Sequence, residues 1–261
     1  MRTVIIPVDF SETSLNAARY AAGMLSGNPG TRVILYSMFE NGDEADTTSD
    51  YLKSLQAELT GKGLLEVEYI KEQGDDLIEC LSRLAYQKTA TLVVMGITGR
   101  SGIAQVLIGS NTLKMVDRNI CPVMVVPPYA SFNGIKNVAF ASDFKHKVYA
   151  NSILFIKTIL EMFKPALHIV NVDSDHYVSL TEDYQQGRAE LQDIFSDYNP
   201  EFYFISWYSF EDAITQFAGD KQIDCIITEP RYHSFWEGIV KGAHTKKLVY
   251  QSTIPVIAVH E

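Results

Sequence analysis

The stretch VIIPVDF at residues 4–10 returns as VAFASDF at residues 138–144, an offset of 134. TLVVMG (91–96) returns as CIITEP (225–230), and CPVMVV (121–126) as IPVIAV (254–259), close to the same offset. Any one of these matches is what two buried strands share by composition. Three, in the same order and at nearly one spacing, mark an internal duplication. The 261-residue chain therefore divides into two homologous domains, 1–129 and 134–261. PPYASFNG (127–134) joins them, a run of breakers and small polar residues. Each half has about 130 residues, enough for a core of its own.

Within the first half, apolar β-branched runs alternate with helical patterns. Strands are expected at 3–8, 32–39, 65–70, 92–95 and 123–126, and helices at 11–25, 51–59, 75–86 and 110–117. Ser11 and Glu12 supply an N-cap and a first-turn acid for the first helix. The second half repeats the series with strands near 137–141, 166–172, 202–206, 224–228 and 255–259. Strands apolar on both faces, separated by amphipathic helices, read as a parallel sheet covered on two sides. The expected fold is α/β: two tandem doubly wound parallel sheets, each with five strands and four helices. Sheets of this kind take ligands beyond the carboxyl ends of their strands, where the strand order reverses.

Composition excludes several classes. Hydrophobic residues make up 46% and charged residues 21%, with a formal charge of −10, which is ordinary for a globular chain and unlike a nucleic-acid binder. No apolar run approaches the ~20 residues of a membrane span, and MRTVIIPVDFSETS lacks the apolar core of a signal peptide. Cys80, Cys121 and Cys225 are scattered without CxxC spacing, as expected of reduced packing thiols in a cytoplasmic protein.

Chemistry concentrates in VVMGITGRSGIAQVLIGSNTLKMV (93–116). Gly96 ends a strand, Gly99 follows, and Gly109 opens a helix with Ser110 and Asn111 at its amino end. Exposed amides and the positive end of the helix dipole suit that position to phosphate. Arg100 adds a charge, and glycine at 96 and 99 lets the backbone approach a ligand. The competing reading is turn chemistry and helix capping alone. No GxxxxGK[ST] occurs, GKGLLE (61–66) lacks the last glycine of GxGxxG, and there is no GxSxG.

The pattern Gly-x2-Gly-x9-Gly-Ser, as Gly96, Gly99, Gly109 and Ser110, resembles the ATP-binding signature of the universal stress protein family. VIIPVDFSETS resembles that family's first strand and helix, and GSNTLKMVDRNICPVMVVP its last helix and strand. The likeness covers the whole chain in tandem form. It implies a Rossmann-like fold, similar to adenine nucleotide alpha hydrolases, with the two final strands pairing the halves as an internal pseudo-dimer. It implies that Asp9, with Pro7 and Val8, meets the adenine and ribose end of ATP, and that Met38 stacks near the base. Gly96, Gly99, Arg100, Gly109, Ser110 and Asn111 would surround the phosphates, with or without magnesium. The implied role is regulatory, in a stress response, with a protein partner the chain does not name and room for a homodimer of the tandem chain. An enzyme, a slow ATPase or nucleotide-dependent transferase on the same site, is the rival class. A small-molecule or lipid carrier using Tyr232, Phe235 and Trp236 is the third.

The second half departs from the pattern. Glu229 and Pro230 stand where Gly96 is expected, Tyr232 replaces Gly99 and Ala243 replaces Ser110, while Asp143 and Gly242 persist. A carboxylate repels a triphosphate and a tyrosine blocks backbone approach. One nucleotide per chain is therefore expected, in the first domain. His233 and His244 lack metal-ligand spacing, and His168 reads as a satisfied core histidine. Residues 173–176 read as a solvated loop, and 40–50 as a mobile lid or surface loop.

Overall fold

A computed structural model describes residues 2–64, 66–97, 110–144, 147–173, 181–206, 210–229 and 254–259. The chain forms two compact units, Met1–Asn133 and Gly134–Glu261. The first contains β1 (Arg2–Pro7), α1 (Glu12–Leu25), β2 (Thr31–Phe39), α2 (Ala45–Gly61), β3 (Glu66–Gln73), α3 (Leu77–Gln87), β4 (Leu92–Gly96), α4 (Ser110–Asp117) and β5 (Val123–Val126). Its strands are all parallel, in the order β3-β2-β1-β4-β5. Ile5, Ile6 and all of Val33, Ile34, Leu35 and Tyr36 are fully buried, so consecutive residues on both faces of β1 and β2 are covered. The order reverses between β1 and β4, which places the switch point at the carboxyl ends of those two strands.

Local signals explain most boundaries. The Ser11 hydroxyl accepts the Ser14 amide and starts α1. Ala17, Ala18, Ala21 and Ala22, all fully buried, let that helix lie close against its neighbours. Asp76 caps α3 by accepting the amides of Ile78 at 2.9 Å and Glu79 at 3.0 Å. The expectation of a loop over 40–50 is corrected: a 3₁₀ turn at Gly42–Glu44 runs directly into α2, which begins at Ala45. The apolar stripe Leu52, Leu55, Leu59 continues one turn upstream through buried Thr48. Lys71 holds the start of the helix by donating to the Ala45 carbonyl at 2.8 Å. Those contacts are tertiary, and the polar first turn hides the period in the sequence.

The second unit contains β6 (Asn137–Ala141), α5 (Ala150–Phe163), β7 (Ala166–Asp173), α6 (Glu182–Ile194), β8 (Glu201–Ser206), α7 (Phe210–Asp220), β9 (Cys225–Thr228) and β10 (Val256–Ala258). Its parallel order, β8-β7-β6-β9-β10, repeats the first. The fourth helix expected in this half falls outside the described residues. Register is inherited as well as order. Val4 pairs with Val33 as Val138 does with Leu167, and Val93 with Val123 as Ile226 does with Val256. Phe10 and Phe144, which follow the two aspartates, both adopt left-handed backbone, at φ 62° and 57°. Their rings meet Tyr51 and Tyr184 at 5.1 and 4.8 Å.

His168, expected to be a satisfied core histidine, is satisfied at one nitrogen only. Its Nε2 lies 3.3 Å from Asn137 Oδ1, while buried Nδ1 makes no hydrogen bond and stands 3.6 Å from Glu201 Oε2. Burial lowers its pKa; Glu201 opposes the shift and Lys221 assists it. Among the described residues no helix is long and apolar enough to cross a membrane.

Candidate functional site

The switch point is where the first unit's polar side chains converge. After Pro7 ends β1, the Val8 amide still donates to the Tyr36 carbonyl at 2.8 Å, and the chain then turns through Phe10 into α1. The turn presents Asp9. Its Oδ1 accepts the Ser11 amide at 3.0 Å and the Ser11 hydroxyl at 2.6 Å. Burial pushes the Asp9 carboxyl up, but hydrogen bonds from the Ser11 and Ser14 side chains and the Ser11 amide outweigh it and hold the group below its ordinary value. Asp9 is thus ionised at neutral pH.

Gly96 closes the other side. A Cβ there would lie 2.4 Å from the Thr13 carbonyl oxygen, so the end of β4 and the start of α1 touch through backbone. Thr112, buried in the first turn of α4, donates its hydroxyl to the Gly96 carbonyl at 2.9 Å. Met38 comes from the end of β2. A Cβ on Gly74 would stand 3.2 Å from its sulfur, so the glycine leaves that side chain its place.

Pro7, Val8, Asp9, Met38, Gly96 and Asn111 all line one cleft of about 910 Å³. Gly99, Arg100 and Gly109 lie outside the described residues; Ser110 begins α4. Sequence reasoning took Ser11 only as a helix cap and passed over Thr13, Ser14, Thr112, Lys114 and Arg118, which also line the cleft. Lys114 on α4 and Arg118 just past its end stand four residues apart, a spacing readable in the sequence. The lining also includes Glu40, Asp75, Asp76 and Asp117, so with Asp9 its carboxylates outnumber its two cations. Arg118 and Lys114 help to hold Asp76 below its ordinary pKa, after the Glu79 and Ile78 amides. Among the described residues no group of three His, Cys, Asp or Glu side chains could hold a metal ion.

In the second unit, the inherited register brings Glu229 to the position of Gly96. Its Oε1 accepts the Tyr149 amide at 3.1 Å. Tyr149 is the N-cap of α5 and caps nothing with its own side chain, so a carboxylate from the neighbouring strand end meets that helix start. Pro230, Tyr232, His233, Phe235, Trp236, Gly242, Ala243 and His244 lie outside the described residues, as do 174–176.

A five-stranded parallel sheet with this order and a polar cleft at its switch point defines the first unit as a doubly wound domain of the α/β class. Comparison names the family. Residues 1–127, nearly the whole of the first unit, match the family model of the universal stress protein family. A universal stress protein of Methanocaldococcus jannaschii is 26% identical over 138 residues, which cover 48% of this chain and 81% of that protein. An uncharacterized protein of Schizosaccharomyces pombe is 32% identical over 139 residues, 47% of this chain and 23% of that protein, so the chain spans about a quarter of its length. The crystal structure of a universal stress protein from Archaeoglobus fulgidus matches with a TM-score of 0.76 at 15% identity, covering 99% of this chain and 98% of that chain. At that identity the match shows shared fold.

Proposed function

We propose that the first unit binds one adenine nucleotide, ATP, and that its occupancy regulates the protein's conformation or choice of partner. The observation that carries this reading is the convergence of Pro7, Val8, Asp9, Met38, Gly96 and Asn111 on one cleft of about 910 Å³. That volume lies within the usual range of ligand sites. An ionised Asp9 suits ribose hydroxyl donors, and Met38 offers an apolar face to a base. The start of α4 presents its amide end and carries Asn111 and, one turn on, Lys114, all suited to phosphate. The excess of carboxylates in the lining argues that the triphosphate enters neutralised, as its magnesium complex.

Titration calorimetry of the full chain tests this. ATP with magnesium is expected to bind, and a chelator to weaken that binding. Asp9→Asn should lower the affinity about 10- to 100-fold, since a hydrogen bond to a charged group contributes roughly 1.5–3 kcal/mol. Gly109→Val with Ser110→Ala should abolish binding in a folded protein. An unchanged affinity in either variant overturns the assignment. Turnover is expected to stay below about 1 per second, the low end of ordinary enzyme rates.

A further inference from the structure

The helix that meets the cleft also holds the segment joining the two halves of the chain. At its amino end, Ser11, Thr13 and Ser14 line the cleft, Ser11 binds the Asp9 carboxylate, and the Thr13 carbonyl abuts Gly96. Further along α1, Asn16, Tyr20 and Gly23 recur at i, i+4 and i+7 and so share one face. That face is occupied. The Asn16 amide donates to the carbonyls of both Pro127 and Ala130, each at 3.1 Å. The Ala130 amide donates to Pro127, closing a turn between those two acceptors. The Tyr20 and Phe132 rings meet edge to face at 5.6 Å. A Cβ on Gly23 would lie 3.0 Å from the Phe132 Cβ, so the helix is notched where that residue lands.

The joining segment, which composition presents as a plain run of breakers, is therefore docked. Ala130 is buried, while the neighbouring Tyr129 is 83% exposed. None of these contacts builds the sheet or the cleft. They fasten residues 127–132 to the same 14-residue helix whose first turn shares its capping bonds with Asp9.

We propose that α1 is a relay: a ligand that engages Asp9 and the first turn of α1 tightens the hold of Asn16, Tyr20 and Gly23 on the joining segment. The differential interaction sits at Asp9 Oδ1, which both Ser11 donors now use and which a ligand hydroxyl would share. A change in that bond moves the start of a stiff helix that carries the segment further along its length. The helix buries Ala17, Ala18, Ala21 and Ala22 together with Met24 and Leu25, and close packing of that kind transmits a displacement along it. Coupling of this kind is reciprocal, so fastening the segment raises ligand affinity by the same factor, typically 5- to 150-fold.

The relay rests on the nucleotide reading of the cleft, and two readouts on the full chain separate them. Calorimetry reports ATP binding, and amide hydrogen exchange at Ala130 reports the clamp. Saturating ATP with magnesium is expected to slow exchange at Ala130 at least about 5-fold. In Asn16→Ala, ATP should still bind, with affinity reduced by the factor seen in exchange, and protection at Ala130 should no longer respond. Phe132→Ser, outside the helix, gives the same expectation if Asn16→Ala fails to fold. ATP binding to the wild type without any change at Ala130 overturns the relay alone. Absence of ATP binding overturns the cleft reading and the relay with it.

Discussion

A methyl group on Gly96 would meet the Thr13 carbonyl oxygen at 2.4 Å and its carbon at 2.8 Å, distances that no relaxed side chain tolerates. In the sequence this glycine reads as a turn former and a point of ligand approach. It does not take a positive φ, so the close passage of α1 is what excludes a side chain here. Gly96→Ala should therefore destabilise the first unit by about 1–3 kcal/mol, the usual penalty of overpacking, read from the urea midpoint. ATP binding should weaken with it, because Asp9 and Ser11 are set by the same helix start. A variant as stable as the wild type would show that α1 and β4 do not touch in this way.

Elements behave less uniformly than the duplication suggests. On β7, His168 faces Glu201 of β8 through a nitrogen that makes no hydrogen bond, and burial lowers its pKa below the ordinary 6.5. Glu201, Lys221 and the Tyr203 ring surround it. The unfolded chain then binds the proton more readily than the folded one, so this group's contribution is complete above its unfolded pKa. It falls as pH drops through about 6.5 toward the folded value. Denaturation midpoints at pH 7.5 and 5.5 should show the wild type losing more stability on acidification than His168→Gln. Equal losses would mean that the buried nitrogen is solvated or paired in solution. The corresponding position in the first unit is Ile34, fully buried, so no such dependence is expected there.

At the scale of the molecule, the two units share strand order, register and the left-handed phenylalanine but differ in the chemistry of the fourth strand's end. Gly96 leaves room for backbone; Glu229 fills the equivalent place and accepts the Tyr149 amide at 3.1 Å. A carboxylate at the position equivalent to Gly96 would repel an incoming phosphate. One nucleotide per full chain is the expected stoichiometry by equilibrium dialysis. A value near two would defeat the asymmetry, and Glu229→Ala alone should not raise it, since Tyr232 and Ala243 also depart from the pattern.

The chain by itself determined the duplication, the parallel doubly wound layout and the positions of Asp9, Gly96 and the start of α4. These rest on local periodicity, turn chemistry and self-similarity, which a linear reading preserves. Only the tertiary structure decided that residues 45–50 are helical, because the contacts of Thr48 and Lys71 that fix them are remote in sequence. It alone decided why Gly96 must be glycine and that Asn16 fastens a segment more than a hundred residues away. Each of those depends on which backbone comes near which side chain, and proximity across a sheet leaves no periodic trace in the sequence.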